Sequence, residues 1–116
     1  MQRQFRLRHS ADFDRLRVEG RTWRHSLLNV AVAPNGLDHN RYGFITSRRL
    51  GGAVVRNRVR RLLREVARLA TPHLKTGFDV VFIARNEIAG QPYNKVKDAL
   101  ETLLKRARMW QEDVQP

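Results

Sequence analysis

Residues 47 to 65 carry seven arginines, and the first acid is Glu65 at the end of the run. Set at about 100° per residue, the part from Val55 onward divides into two arcs. Val55, Val59, Leu62, Leu63, Val66, Leu69 and Ala70 gather on one arc. Arg56, Asn57, Arg60, Arg61, Arg64 and Arg68 fill the other, with Arg58 at the border. The pattern predicts a helix with one stripe in a core and an almost unbroken arginine face opposite. A merely solvated face would carry Glu and Lys at i,i+4 to relieve repulsion. Here Arg56, Arg60, Arg64 and Arg68 place like charges at that spacing, and each such pair costs a few tenths of a kcal/mol in an isolated helix. A polyanion removes that cost.

The rest of the composition agrees. The 116 residues fit one domain, 1–116, and 41% hydrophobic content supplies one core. Net charge is +12, from 23 basic and 11 acidic residues. Nineteen of the basic residues are arginine and four are lysine. Arginine's planar fork binds phosphate bidentately and stacks on bases, which points to a nucleic-acid partner. A GC-rich genome also enriches arginine, so total charge weighs more than the choice of arginine over lysine. There is no cysteine, which excludes disulfides and thiolate metal sites. No apolar run approaches the length of about 18 residues that a membrane span needs. The basic N-terminus lacks the apolar stretch of a signal peptide, so the expected location is the cytoplasm.

Along the chain, residues 1–9 read as a basic arm that orders late or on binding. Ser10 is placed to cap a first helix, with Asp12 and Asp14 in its first turns and Gly20 as its stop. Phe13 and Leu16 share a face, with Val18 close by. Residues 23–33 alternate as a strand, Pro34-Asn35-Gly36 is a turn, and residues 41–47 return as a second strand. The two are expected to pair as an antiparallel hairpin. In the second strand, Tyr42, Phe44 and Thr46 share one side, and Gly43, Ile45 and Ser47 the other. Gly51-Gly52 forms either a plain corner or one that lets the first N–H groups of the arginine helix meet a phosphate. That helix ends near Ala70, because Pro72 disfavours helical geometry at Thr71. Residues 79–84 form a third strand, apolar on both faces and hence covered or central. Pro92 opens a last helix whose stripe is Val96, Ala99, Leu100, Leu103, Leu104 and Ala107. Residues 111–116 are a polar tail, expected to fray.

No side-chain constellation suggests a self-contained nuclease. Asp12 and Asp14 fall on nearly opposite sides of a helix, and Asp79 opens its strand alone. Glu65 is placed to pair with Arg61 or Arg68. His9, His25, His39 and His73 stand singly, without metal-ligand spacing. No metal site and no catalytic residue is assigned. The strand and Gly-Gly before the arginine helix do not match a helix-turn-helix, so DNA is not expected. Single-stranded RNA suits interleaved aromatics, for which Phe13, Tyr42 and Phe44 are candidates, although each is also a core-type residue.

The run from Gly52 to Glu65, centred on Arg56-Asn57-Arg58, closely resembles the signature helix of the bacterial ribonuclease P protein subunits. The likeness continues in Asp12-Phe13 and Gly20, Ser47-Arg48-Arg49, Gly77-Phe78-Asp79 and Ala84-Arg85. It implies an α+β sandwich of order αβββαβα, related to a ribosomal-protein domain, with a left-handed βαβ crossover against the usual rule. In that order, residues 22–33 supply two short strands. It implies a large catalytic RNA as partner and precursor tRNA as substrate, cleaved by Mg²⁺-dependent hydrolysis with the metal held mainly by the RNA. Arg48, Arg49, Arg56, Asn57, Arg58, Arg60, Arg61 and Arg64 would face that RNA. Phe13, Arg17, Tyr42 and Phe44 would line a cleft for the 5′ leader. Arg17 and Ala31 stand where the family often has aromatics, which implies more charge and less stacking there. A ribosomal or general RNA-chaperone protein would share the charge but not the Arg-Asn-Arg context.

Overall fold

The computed structural model describes residues 2–111. Four strands form one sheet: β1 (Arg21–Arg24), β2 (Leu28–Pro34), β3 (Arg41–Ile45) and β4 (Phe78–Ala84). Three helices cover it: α1 (Ser10–Glu19), α2 (Ala53–Ala70) and α3 (Tyr93–Arg106). The order is αβββαβα, as the resemblance implied.

The strand order is β1-β2-β4-β3, with β2 antiparallel to β4 and β3 parallel to it. This overturns the expected β2–β3 hairpin. β4 presents apolar side chains on both faces, so burial favours the central slot, between β2 and β3. The segment read as one strand from residue 23 is two. The chain reverses at His25-Ser26, the His25 amide donates to the Leu28 carbonyl at 3.0 Å, and β1 folds back onto β2.

Pleating sorts the side chains into two layers. Leu28, Val30, Val32, Tyr42, Val80 and Phe82 join α2 and α3 in the larger core. Ala31, Ala33 and Val81 pack with Leu7, Leu16 and Phe13 beneath α1. The α2 stripe is turned slightly from its expected centre. Ala67 is fully buried, whereas Val55 and Leu69 lie at the margins, 36% and 46% exposed. Val18 was expected near the core and is 85% exposed, because α1 buries only Leu16 and part of Phe13.

Burying one leucine contributes about 1.5–3 kcal/mol. Ordering each backbone residue costs about 1–2 kcal/mol, so apolar contact alone does not fix α1. A polar lock adds to it. Asp79, fully buried, accepts from Arg41 through both oxygens, from Asn35 at 3.0 Å and from Arg15 of α1. Arg41 also reaches Asp12 of α1 at 3.4 Å.

Two termini differ from expectation. The helix α1 starts at Ser10, with His9 in the cap position and no side-chain cap. The arm before it docks on the sheet: the Leu7 amide donates to the Tyr42 carbonyl at 2.8 Å, and Leu7 is buried. Of the tail 111–116, expected to fray, Gln111 donates its amide to the His73 carbonyl at 2.7 Å, and 112–116 lie outside the described residues.

Candidate RNA interface

The arginine face is built by three local features. Arg48 and Arg49 stand exposed on a short 3-10 turn that ends at Gly51. Gly51 has φ 144°, a backbone state that L side chains rarely adopt, and a Cβ there would meet Val55 at 3.1 Å. Gly51 is therefore a conformational requirement of the corner under either of the two glycine readings. Gly52 then occupies the cap position of α2 with open space around it. The first turn of α2 has no side-chain cap and no acid, so no carboxylate offsets its free N–H groups and the positive end of the helix dipole.

Along α2, Asn57, Arg58, Arg61 and Arg64 are exposed, while Arg56 and Arg60 are half-buried. Arg60 donates to Thr46 Oγ1 at 2.7 Å and to Asn57 Oδ1 at 3.1 Å, tying the helix to the end of β3. The Arg64 guanidinium lies 5.9 Å from the Phe44 ring centroid. Burial, then the charges of Arg60 and Arg6, push the Arg64 guanidinium below its ordinary pKa. Arg6, in the arm, bridges to Tyr42 of β3, which brings its charge onto the sheet. Among the described residues, the only ion pair made by an arginine of α2 joins Arg68 to Glu65, at 2.7 Å. Of the two partners expected for Glu65, Arg68 is the one used. Arg48, Arg49, Arg56, Arg58, Arg60, Arg61 and Arg64 form no salt bridge with any described residue.

The sheet face under α1 carries three rows of side chains across β2, β4 and β3. Ala33, Asp79 and Arg41 form one row, Ala31, Val81 and Gly43 the next, and Asn29, Ile83 and Ile45 the third. The first row is locked to α1 by the Asp79 network. Phe13 covers the second: a Cβ on Gly43 would stand 2.9 Å from its Cε1. The third row is half-open; Ile45 is 39% exposed, and Asn29 Oδ1 is buried without a hydrogen-bond partner. Phe13, over Gly43, thus borders the row of Asn29, Ile83 and Ile45. Ala31 lies at its edge, 8% exposed.

Two expected cleft residues are elsewhere. Tyr42 and Phe44 face the opposite layer, where both stack on Phe82. Tyr42 is 2% exposed, and its hydroxyl accepts from Thr71 Oγ1 at 2.9 Å, so no base reaches its ring. The period-2 alternation already separated them from Gly43, on which Phe13 rests. Arg17 lies on α1, highly exposed, with Asp14 at 3.8 Å. Asn29 and Ile83 were not singled out in the sequence, where they read as ordinary strand residues.

The donor set does not suit a protein-held metal. Among the described residues no three His, Asp or Glu side chains come together. Asp79, the one buried carboxylate among the described residues, is committed to Arg41, Arg15 and Asn35. Burial pushes its carboxyl up, but the hydrogen bonds from Arg41 and Asn35 outweigh it and hold the group below the usual carboxylate range. No described helix is long and apolar enough to cross a membrane.

Comparison with known proteins accords with this arrangement. The Ribonuclease P family matches residues 1–108. The Ribonuclease P protein component of Herpetosiphon aurantiacus is 40% identical over 116 residues, covering 100% of this chain and 94% of its own. That of Roseiflexus castenholzii is 44% identical over 108 residues, covering 92% and 88%. The Staphylococcus aureus RNase P protein structure superposes with TM-score 0.85 at 30% identity, over 91% of this chain and 97% of its own. The Thermotoga maritima RNase P protein gives 0.81 at 32%, over 87% and 96%. The chain belongs to the ribonuclease P protein family, the protein component of the ribonucleoprotein that processes tRNA 5′ ends.

Proposed function

We propose that α2 and the turn before it bind the catalytic RNA, and that the cleft under α1 takes the single-stranded 5′ leader of precursor tRNA. The observation that carries the first part is the run of arginines on α2 without acidic partners among the described residues. Their mutual repulsion is relieved by phosphates, whose counterions are released on binding. Arg48, Arg49, Arg56, Asn57, Arg58, Arg60, Arg61 and Arg64 supply the contacts, with Arg6 beside Arg64. In the cleft, Phe13 offers a ring edge and face, and Arg17 a phosphate contact at the rim. This reading drops Tyr42 and Phe44 from the leader site.

The chain's part in the reaction is to bind and orient. Mg²⁺ supplies a metal-activated nucleophile and charge stabilisation when bound, and in this reading it is held by RNA phosphates. The reaction takes place in the cytoplasm, and DNA is not a substrate. The test is processing of precursor tRNA by the catalytic RNA at low Mg²⁺, with and without this chain. Faster leader removal with the chain, lost in Arg56→Ala/Arg58→Ala, is the expected result. Cleavage by protein rigorously freed of RNA would overturn it.

A further inference from the structure

A second basic groove lies across the sheet from the arginine helix. The edge strand β1 and the C-terminal end of α3 enclose it, with the start of β4 beneath. Its volume is about 580 Å³, and Trp23, Phe78 and Met109 line its apolar floor. Arg21, Lys75, Arg106 and Arg108 stand on its rim. The one acid there, Glu19, is paired with Arg15 at 3.4 Å. The Arg21 guanidinium lies 5.4 Å from the Trp23 ring centroid. Beside the groove the pattern repeats, with Lys105 Nζ 5.3 Å from the Trp110 centroid.

Arg108 supplies an independent observation. It follows the last turn of α3 with φ 58°, the only positive φ of a non-glycine residue among those described. Its amide donates to Lys105 and that of Met109 to Leu104, closing the helix in the way that a glycine ordinarily does. Glycine would adopt this conformation without steric cost, and arginine does not. The turn therefore does not explain the residue, whereas a charge at the groove rim does. Backbone strain of this kind is a pointer to function once it is observed.

We propose that this groove is a second RNA site. It takes one unstacked base of single-stranded RNA against Trp23, beside the Arg21 guanidinium, with flanking phosphates on Arg106 and Arg108. An aromatic floor inside a cationic rim is the arrangement that single strands require, because stacking tolerates any base and the rim follows the backbone. The site is separate from both surfaces proposed above.

The test uses the full chain carrying Arg56→Ala/Arg58→Ala, which weakens α2, and Phe13→Ala, which weakens the cleft, as the background, with a labelled ten-nucleotide oligouridylate. Fluorescence anisotropy is followed across a salt series. Adding Arg106→Gln and Arg108→Gly is expected to weaken binding at least tenfold and to lower the log–log salt slope by about 1.4 units, for two single-strand phosphates. Arg108→Lys in place of the glycine should recover the Arg108 share of that loss, which shows that charge rather than turn geometry matters. Unchanged affinity and slope would overturn the proposal. So would an oligoglutamate of equal charge that binds as tightly as the RNA, since that would mark an acidic protein segment as the ligand. Neither result bears on the precursor-processing assay, which tests α2 and the cleft.

Discussion

Arg41 grips Asp79 with Nε on Oδ1 and Nη2 on Oδ2, each at 2.9 Å. One contact joins the edge strand β3 to the central strand β4, and through Arg15 and Asp12 it also holds α1. The position of Phe13 therefore depends on a carboxylate that Phe13 does not touch.

Asp79→Ala leaves Arg41 and Arg15 facing an empty low-dielectric site. Removing one partner of a buried pair costs about 3–5 kcal/mol, and urea unfolding should show a loss of that size. A change below about 1 kcal/mol would mean that α1 is held by apolar contact alone.

The same carboxylate sets an acid limb. Its folded pKa lies below the unfolded value, which is about 3.9 for Asp. The stability it contributes is therefore present above pH 4 and lost as pH falls toward the lower folded value. Thermal melts between pH 7 and pH 2 should show this decline in the parent chain. In Asp79→Asn the decline should be shallower, starting from a lower plateau.

For the arginine face, Arg56→Ala with Arg58→Ala should weaken assembly with the catalytic RNA. The log–log salt slope should flatten by roughly one unit per lost phosphate contact. An unchanged slope would place both residues away from the RNA.

Phe13 and Gly43 form a pair of opposite tests. Phe13→Ala removes a half-buried ring and should reduce binding of precursor relative to mature tRNA, along with stability, by up to about 3 kcal/mol. Gly43→Ala puts a methyl group against that ring, 2.9 Å from Cε1 and 3.3 Å from Val81 Cγ2. The ring end can yield, so stability should fall by only about 1–3 kcal/mol. Leader discrimination should fall nearly as far as in Phe13→Ala. If Gly43→Ala discriminates as the parent does, the ring is core and not a cleft wall.

Much of this was legible in the residues. The amphipathic period of α2 and the two-faced apolar run of β4 gave their elements and, for β4, a choice between a covered and a central place that the fold resolves as central. The short register of β3 already set Tyr42 and Phe44 opposite Gly43. What resisted reading was long-range. Nothing local in residues 23–45 says that a strand some forty residues later will insert between β2 and β3. Asp79 in an apolar strand was a signal, but its partners lie 38 and 64 positions away in sequence, at Arg41 and Arg15. The aromatic reading and the family resemblance both pointed to Phe13, and only the fold revealed the open row of Asn29, Ile83 and Ile45 beside it.

That row has one further consequence. Ile83 sits on the strand hydrogen-bonded from both sides, between Asn29 on β2 and Ile45 on β3. Such a floor is already fixed before any ligand arrives. The conformational entropy lost on binding there is then almost wholly the ligand's, so a strand that is stiff or already stacked should bind more tightly than a floppy one of equal charge.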